Sequence, residues 1–153
     1  MELRIAEVTD VDVLLPLVRQ YHEFEQIEMS DADRIKAFSP LLGQNTLGQI
    51  WLILSSEQVV GYIALCFGYS IEFGGRDAFV DEFFIEAAAR GQGLGREVLA
   101  TIKAEATHRG IIALHLEVAR TNGRAKKLYT ALGFEAREYF HLMSCPLRNI
   151  GVL

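Results

Sequence analysis

Arg90-Gly91-Gln92-Gly93-Leu94-Gly95-Arg96 lies between an apolar stretch, Ala78–Ile85, and a run in which Leu94, Val98, Leu99, Ile102 and Ala106 recur at helical spacing as far as Gly110. Three glycines in five positions contribute nothing to a core. Without side chains they let the main chain approach a ligand closely, and the free N–H groups of the following helix's first turn then point at it. Phosphate oxygens suit that geometry, and the helix dipole with Arg90 and Arg96 adds local positive potential. Two other phosphate-binding patterns fail. Counting G-x-G-x-x-G from Gly91 puts Arg96 where the last glycine belongs, and no G-x-x-x-x-G-K followed by Ser or Thr occurs in the chain. A plain tight turn is the remaining alternative, disfavoured by the combination of strand, basic glycine turn and helix.

Working outward, Leu3 and Ile5 alternate with polar neighbours and predict a short first strand. Thr9, Asp10 and Asp12 are candidate caps for a helix reaching about Glu25, in which Pro16 is tolerable only near the start. Ser30 and Asp33 resemble a capping box opening a second short helix, ended by Pro40 and Gly43. Ile50–Leu54 and Val59–Phe67 read as an antiparallel pair joined by a turn at Ser55–Gln58, and Gly74 and Gly75 turn the chain into the strand Ala78–Ile85. Ile111–Val118 is a further strand, Asn122–Ala131 a helix closed by Gly133, and Glu138–Met143 a final strand. Strands alternate with helices only in the second half, which predicts an α/β (α+β) fold with a mixed central sheet, antiparallel early and locally parallel late.

The 153 residues are one domain's worth, 1–153, and half of them are hydrophobic, enough to bury a continuous core. Fifteen Lys and Arg against twenty Asp and Glu leave a formal charge of −5. That argues against nucleic acid or anionic membrane surfaces as partners, so an anionic ligand must be gripped locally. The opening residues are too charged for a secretory signal, and the longest uncharged stretch, Ala37–Ser56, carries Pro40, Gly43, Asn45 and Gly48. A cytoplasmic protein with no membrane span is the expectation. Cys66 and Cys145 form neither a CxxC pair nor a cluster with metal-ligand spacing, so both are expected to be reduced and structural, with no metal.

A second informative stretch is Thr121-Asn-Gly-Arg-Ala-Lys-Lys-Leu-Tyr-Thr-Ala-Leu-Gly-Phe134. Asn122, Ala125 and Tyr129 are three and four apart and share a helical face, where a small alanine between two hydrogen-bonding side chains leaves room for a chain-like molecule. Taken alone it reads first as a helix cap and a core tyrosine.

Together the two motifs resemble the GNAT superfamily of N-acetyltransferases. The acetyl-CoA signature of that superfamily (Q or R, x, x, G, x, then G or A) is met by Arg90, Gly93 and Gly95, and its N…A…Y…GF signature by Asn122, Ala125, Tyr129, Gly133 and Phe134. The resemblance spans nearly the whole chain. It implies a GNAT-like sheet, mostly antiparallel and flanked by helices, in which the strand before the glycine turn splays from its neighbour and acetyl-CoA enters the gap. Backbone groups near Phe83 and Ile85 then pair with the pantetheine arm, Gly91, Gln92, Gly93, Leu94 and Gly95 with Arg90 and Arg96 take the pyrophosphate, Asn122 and Ala125 border the arm, and Tyr129 protonates the departing thiolate.

Physical requirements agree with those roles. An amine with a pKa near 10.4 is an ammonium at neutral pH and has no lone pair to attack with, so a base must deprotonate it, directly or through one water. Asp81 and Glu82 lie on the strand leading to the turn. Alternation lets one of them reach the cleft, and Glu82 is taken as the candidate. Tyr21, Phe24, Glu25 and Glu72 supply an acidic and aromatic lining suited to a small cationic acceptor such as a polyamine, amino sugar or amino acid derivative. His22, His108, His115 and His141 are scattered, without an evident partner. A peptide or protein amine is the alternative acceptor, and a non-catalytic acyl-CoA sensor or an interaction module the alternatives of another class. Apolar strand ends and the tail Ile150–Leu153 offer a surface for a homodimer.

Overall fold

The computed structural model describes residues 1–147. Its strands are β1 (Glu2–Ile5), β2 (Gly48–Ser55), β3 (Gln58–Ser70), β4 (Gly75–Ile85) and β5 (Ala113–His115). Its helices are α1 (Val11–Phe24), α2 (Asp31–Phe38), α3 (Leu94–His108) and α4 (Gly123–Ala131). The strands form one sheet in sequence order, antiparallel from β1 to β4 and parallel between β4 and β5. The mixed sheet, antiparallel first and parallel last, is the predicted one.

Alternation along β2 and β3 divides the core between the two faces of this sheet. Trp51, Ile53, Ile63 and Leu65 face α3 through Leu94, Val98, Leu99 and Ile102, with Leu128, Tyr129 and Leu132 of α4 at the margin. Ile50, Leu52, Tyr62 and Ala64 face Leu14, Leu17 and Val18 of α1 and Phe38 of α2. Local chemistry sets the boundaries: Ser30 Oγ accepts the Asp33 N–H at 3.1 Å and caps α2. Ser56 and Glu57, both at positive φ, close the β2–β3 hairpin.

Three expectations are corrected. Pro16 lies inside α1 rather than in its first turn; the burial of Leu14, Leu17 and Val18 offsets the hydrogen bond that the proline removes. The strand read at Ile111–Val118 is only Ala113–His115, because β4 turns away after Phe79 and leaves 116–118 without a ladder partner. The final strand read at Glu138–Met143 does not form. Arg137 bonds Glu72 and Glu138 bonds Lys126 as the chain leaves α4, and the segment beyond runs along no strand, with Tyr139 99% exposed. Aromatic and apolar content makes a strand only where an edge is at hand to pair with. The tail Ile150–Leu153 lies outside the described residues.

Ile102 is fully buried between α3 and the sheet. Ile102→Ala is expected to lower unfolding stability by about 2–5 kcal/mol in urea titrations, through lost transfer free energy and the cavity left behind.

Candidate active site

β4 is paired with β3 along its whole length, to Gly61↔Ile85. With β5 it is paired over only three rungs, Asp77↔Ala113 to Phe79↔His115. The Glu86 N–H bonds Val60 O at 2.8 Å, so alternation turns the peptide groups of Phe84 toward β3 and those of Phe83 and Ile85 toward the open edge. The splay and the free backbone groups therefore coincide. Between the diverging strands is a cavity of about 1020 Å³.

Gly91 and Gly93 stand at one end of this cavity with φ of +87° and +81°, and a Cβ placed on either would meet nothing within 4 Å. The turn is thus both left-handed, which glycine accepts without strain, and open above. Gly93 caps α3, and the first amides of the helix, at Leu94 and Gly95, have no carbonyl of their own helix to bond. Gly95 serves packing instead. A Cβ there would lie 3.4 Å from Leu128 and 3.9 Å from Ile85 and Phe83, in ordinary contact, so Gly95 faces the packing between α3, α4 and β4 rather than open space.

Of the residues singled out in the sequence, Asp81, Phe83, Ile85, Arg90, Gly91, Gly93, Leu94, Gly95, Arg96, Asn122, Ala125 and Tyr129 line the cavity, with Tyr21, Phe24 and Glu25 from the end of α1 and its continuation. Gln92, Glu72 and Glu82 do not. Glu72 sits in the β3–β4 turn against Arg137. Asn122 caps α4, its Oδ1 accepting the Ala125 N–H at 3.2 Å. Arg90 folds back across the open edge: Nε donates to Ile85 O at 2.6 Å, and the guanidinium lies 5.4 Å from the Phe84 ring centre and 6.0 Å from that of Phe24.

The two acids part company because the ladder is irregular where they stand. Ala64 pairs with Glu82 and Leu65 with Val80, leaving Asp81 as an extra residue. Only one of the pair reaches the cleft, as alternation requires, but with the bulge at this point it is Asp81 and not the expected Glu82. Asp81 faces the cavity. Glu82 points away from it into the layer under α1, where Oε1 bonds His22 Nε2 at 2.7 Å and Oε2 accepts the Tyr62 hydroxyl at 2.6 Å. Burial in the cleft wall, with Glu82 and Glu117 nearby, pushes the Asp81 carboxyl above the ordinary carboxylate range, although water reaches it through the mouth. Burial also raises Tyr129, with Glu25 adding to it, which keeps the phenol protonated. Cys66 is pushed up to about 11 by burial and behaves as an inert thiol.

Glu117, on the segment that leaves the ladder after β5, lines the cavity and goes unnoticed in the sequence, where a single acid after a strand carries no signal. His22 does carry one. It continues the stripe Leu14, Leu17, Val18 at i+4, the periodicity of an inward face, and it is buried. Among the described residues no group of three His, Cys, Asp or Glu is placed to hold a metal ion, and no helix is long and apolar enough to cross a membrane.

The Acetyltransferase (GNAT) family model matches residues 15–134, and the chain belongs to that family. It is an acyltransferase enzyme, with the family's sheet and helices. A thialysine N-epsilon-acetyltransferase of Bos taurus is 29% identical over 144 residues, 86% of this chain and 82% of the relative. The N-acetyltransferase YhfO of Bacillus subtilis (strain 168), itself uncharacterized, is 27% identical over 88% of this chain and 90% of its own. Among solved structures, integron cassette protein HFX_CASS3 from the Cole Harbour Salt Marsh metagenome superposes with a TM-score of 0.83 at 36% identity, covering 95% of this chain and 90% of that one. A predicted acetyltransferase with acetyl-CoA from Clostridium acetobutylicum shares the fold at a TM-score of 0.76 and 21% identity, covering 94% and 95%.

The raised Asp81 carboxyl has a consequence for stability. A group that holds its proton more tightly folded than unfolded stabilises the fold fully only below the ordinary carboxylate range, near 3.9, and loses that contribution as pH rises through the folded value. Asp81→Asn is therefore expected to melt higher than the wild type at pH 7, and the gap should close as the pH of the melts is lowered toward 4.

Proposed function

We propose that residues 1–153 form one domain that moves an acetyl group from acetyl-CoA to the primary amine of a small cationic molecule. The observation that carries this reading is the open edge of β4, which runs from Asp81 through Phe83 and Ile85 into the glycine turn. The residues fit the co-substrate: amides at Gly91–Gly95 and the Arg96 guanidinium suit a pyrophosphate, and the outward peptide groups of Phe83 and Ile85 suit an amide-bearing arm. Ile85 O accepts from Arg90 Nε, so an arm at this edge takes over the bond that Arg90 makes. Acetyl-CoA, when bound, supplies the activated acetyl group.

The chain's own residues handle the protons. Asp81, facing the cavity with a raised proton affinity, is the proposed base for the ammonium; the geometry favours it over Glu82, which is occupied by His22 and Tyr62. Tyr129, on the opposite wall and kept protonated, donates its hydroxyl proton where the thiolate departs. Tyr21, Phe24, Glu25 and Glu117 surround the acceptor end with aromatic faces and negative charge, which suits a cation. The name of the bovine relative, an acetyltransferase acting on thialysine, supports a small amine over a peptide. A cytoplasmic setting agrees with free acetyl-CoA and reduced cysteines.

The test is thiol release from acetyl-CoA against diamines, amino sugars, amino acid derivatives and peptides. Turnover on small amines is expected; acetylation of peptides alone overturns the small-molecule reading. With an active amine, Tyr129→Phe should lower kcat on the order of 100-fold with little change in the acetyl-CoA KM. An unchanged kcat removes Tyr129 from the proton transfer.

A further inference from the structure

The roles above leave a chain of polar groups unexplained behind the cleft. It links Arg34 of α2, His22 of α1, Glu82 of β4 and Tyr62 of β3, and all but Glu82 are at most 8% exposed. Arg34 Nε lies 3.2 Å from His22 Nδ1. Arginine has only donors, so Nδ1 accepts and the ring hydrogen sits on Nε2. Nε2–H therefore donates to Glu82 Oε1, and with the Tyr62 hydroxyl on Oε2 each carboxylate oxygen has its own donor. Arg34 is fixed in turn by Asp31 at 2.8 Å, which Arg19 also holds at 2.6 Å.

Packing does not call for this arrangement. The layer around it, Leu14, Leu17, Leu52, Ala64 and Phe84, is apolar, and a polar chain is stable there only when every member is satisfied. Asp81, the next residue to the one so carefully held, is the proposed base. Besides Glu82, the charged groups that act on Asp81 are Glu117 after β5 and His22 of α1, and Tyr21 of α1, Glu25 just beyond it, Tyr129 of α4 and Arg90 of the turn line the same cavity. Among the described residues Glu25 and Glu117 have no hydrogen-bonded side-chain partner and can swing, whereas Glu82 cannot.

We propose that His22 is a positioning residue of the transfer reaction: backed by Arg34 and helped by Tyr62, it locks the Glu82 carboxylate in one fixed, non-reacting place beside Asp81. This rests on Asp81 being the base. A fixed neighbour of like charge favours the protonated form of Asp81, and the two hydrogen bonds keep that neighbour turned away from the cleft. The raised proton affinity of Asp81, owed first to burial and then to Glu82, agrees with the geometry.

The experiment is the pH profile of kcat/KM for the full chain with the amine found active above, for wild type, Asp81→Asn, Glu82→Gln, His22→Leu and His22→Gln, each checked for folding by circular dichroism. Glu82→Gln is expected to move the acid limb down by about half a pH unit or more, because it removes the fixed charge and keeps the shape. His22→Leu, which removes the donor that fixes Glu82 Oε1, should displace the limb from its wild-type position by less than Glu82→Gln does. His22→Gln, whose amide can replace the ring donor, should restore the limb toward its wild-type position. A purely structural role would lower the melting temperature and leave the limb in place, and a folded Glu82→Gln with an unmoved limb overturns the proposal while Asp81 remains the base. Loss of all turnover in Glu82→Gln with a retained acid limb in Asp81→Asn overturns the assignment of the base itself. Should Glu82→Gln fail to fold, coincident limbs for His22→Leu and wild type overturn the proposal.

Discussion

The constraint on which this molecule depends is the unequal treatment of the two edges of β4. One edge stays bonded to β3 as far as Ile85; the other is released after three rungs with β5. A strand released on both sides would be a loop, and one paired on both sides would have no backbone groups left to offer. Because β3 holds it, the free edge of β4 is a rigid row of donors and acceptors at fixed spacing, followed after eight residues by the N-terminus of α3. The same continuity with β3 makes the bulge at Asp81 possible, since a bulge needs a regular partner against which to be out of step.

The bulge separates two chemically similar acids into different environments within one residue of each other. Asp81 meets water and the cleft; Glu82 meets a histidine and a tyrosine in an otherwise apolar layer. Taking away one partner there would leave another buried polar group unbonded, at about 1–3 kcal/mol. The three-dimensional result is an asymmetric pair, one member open to the cleft and one tied beneath it, and which of the two faces the cleft could not be told from alternation alone.

How far the sequence discloses this follows from how local each feature is. The glycine turn and the helix caps at Ser30 and Asn122 depend on residues within a few positions, and they stand where the pattern puts them. The order of strands and the change from antiparallel to parallel follow from hairpin turns and the intervening helix, which are also local. The orientation of Asp81 and Glu82 depends on the register of β3, twenty residues away, and is illegible for that reason. So is the absence of a strand at Glu138–Met143: its residues have strand character, but strand formation is a property of two segments, and the sequence of one does not reveal whether the other is in reach. His22 is the intermediate case. Its inward face is readable from helical spacing, but its partners, Glu82 and Arg34, lie on a strand and another helix.

The electrostatics of the cleft follow from the same geometry. With a net charge of −5, the chain has no general attraction for a polyanion. At the glycine turn, however, Arg90, Arg96 and the start of α3 gather positive potential, and at the other end Asp81, Glu25 and Glu117 gather negative potential. Charges are screened over about 8 Å at physiological ionic strength, so each end acts on what is next to it and neither is cancelled by the whole. Within the proposed function, the anionic part of one substrate and the cationic amine of the other are drawn to opposite ends of one cavity. The reacting atoms then meet between them, where the open edge of β4 passes from Ile85 back to Asp81. The acidic surplus of the protein is therefore compatible with an anionic co-substrate, because the acids that line the cavity stand at the end away from the glycine turn.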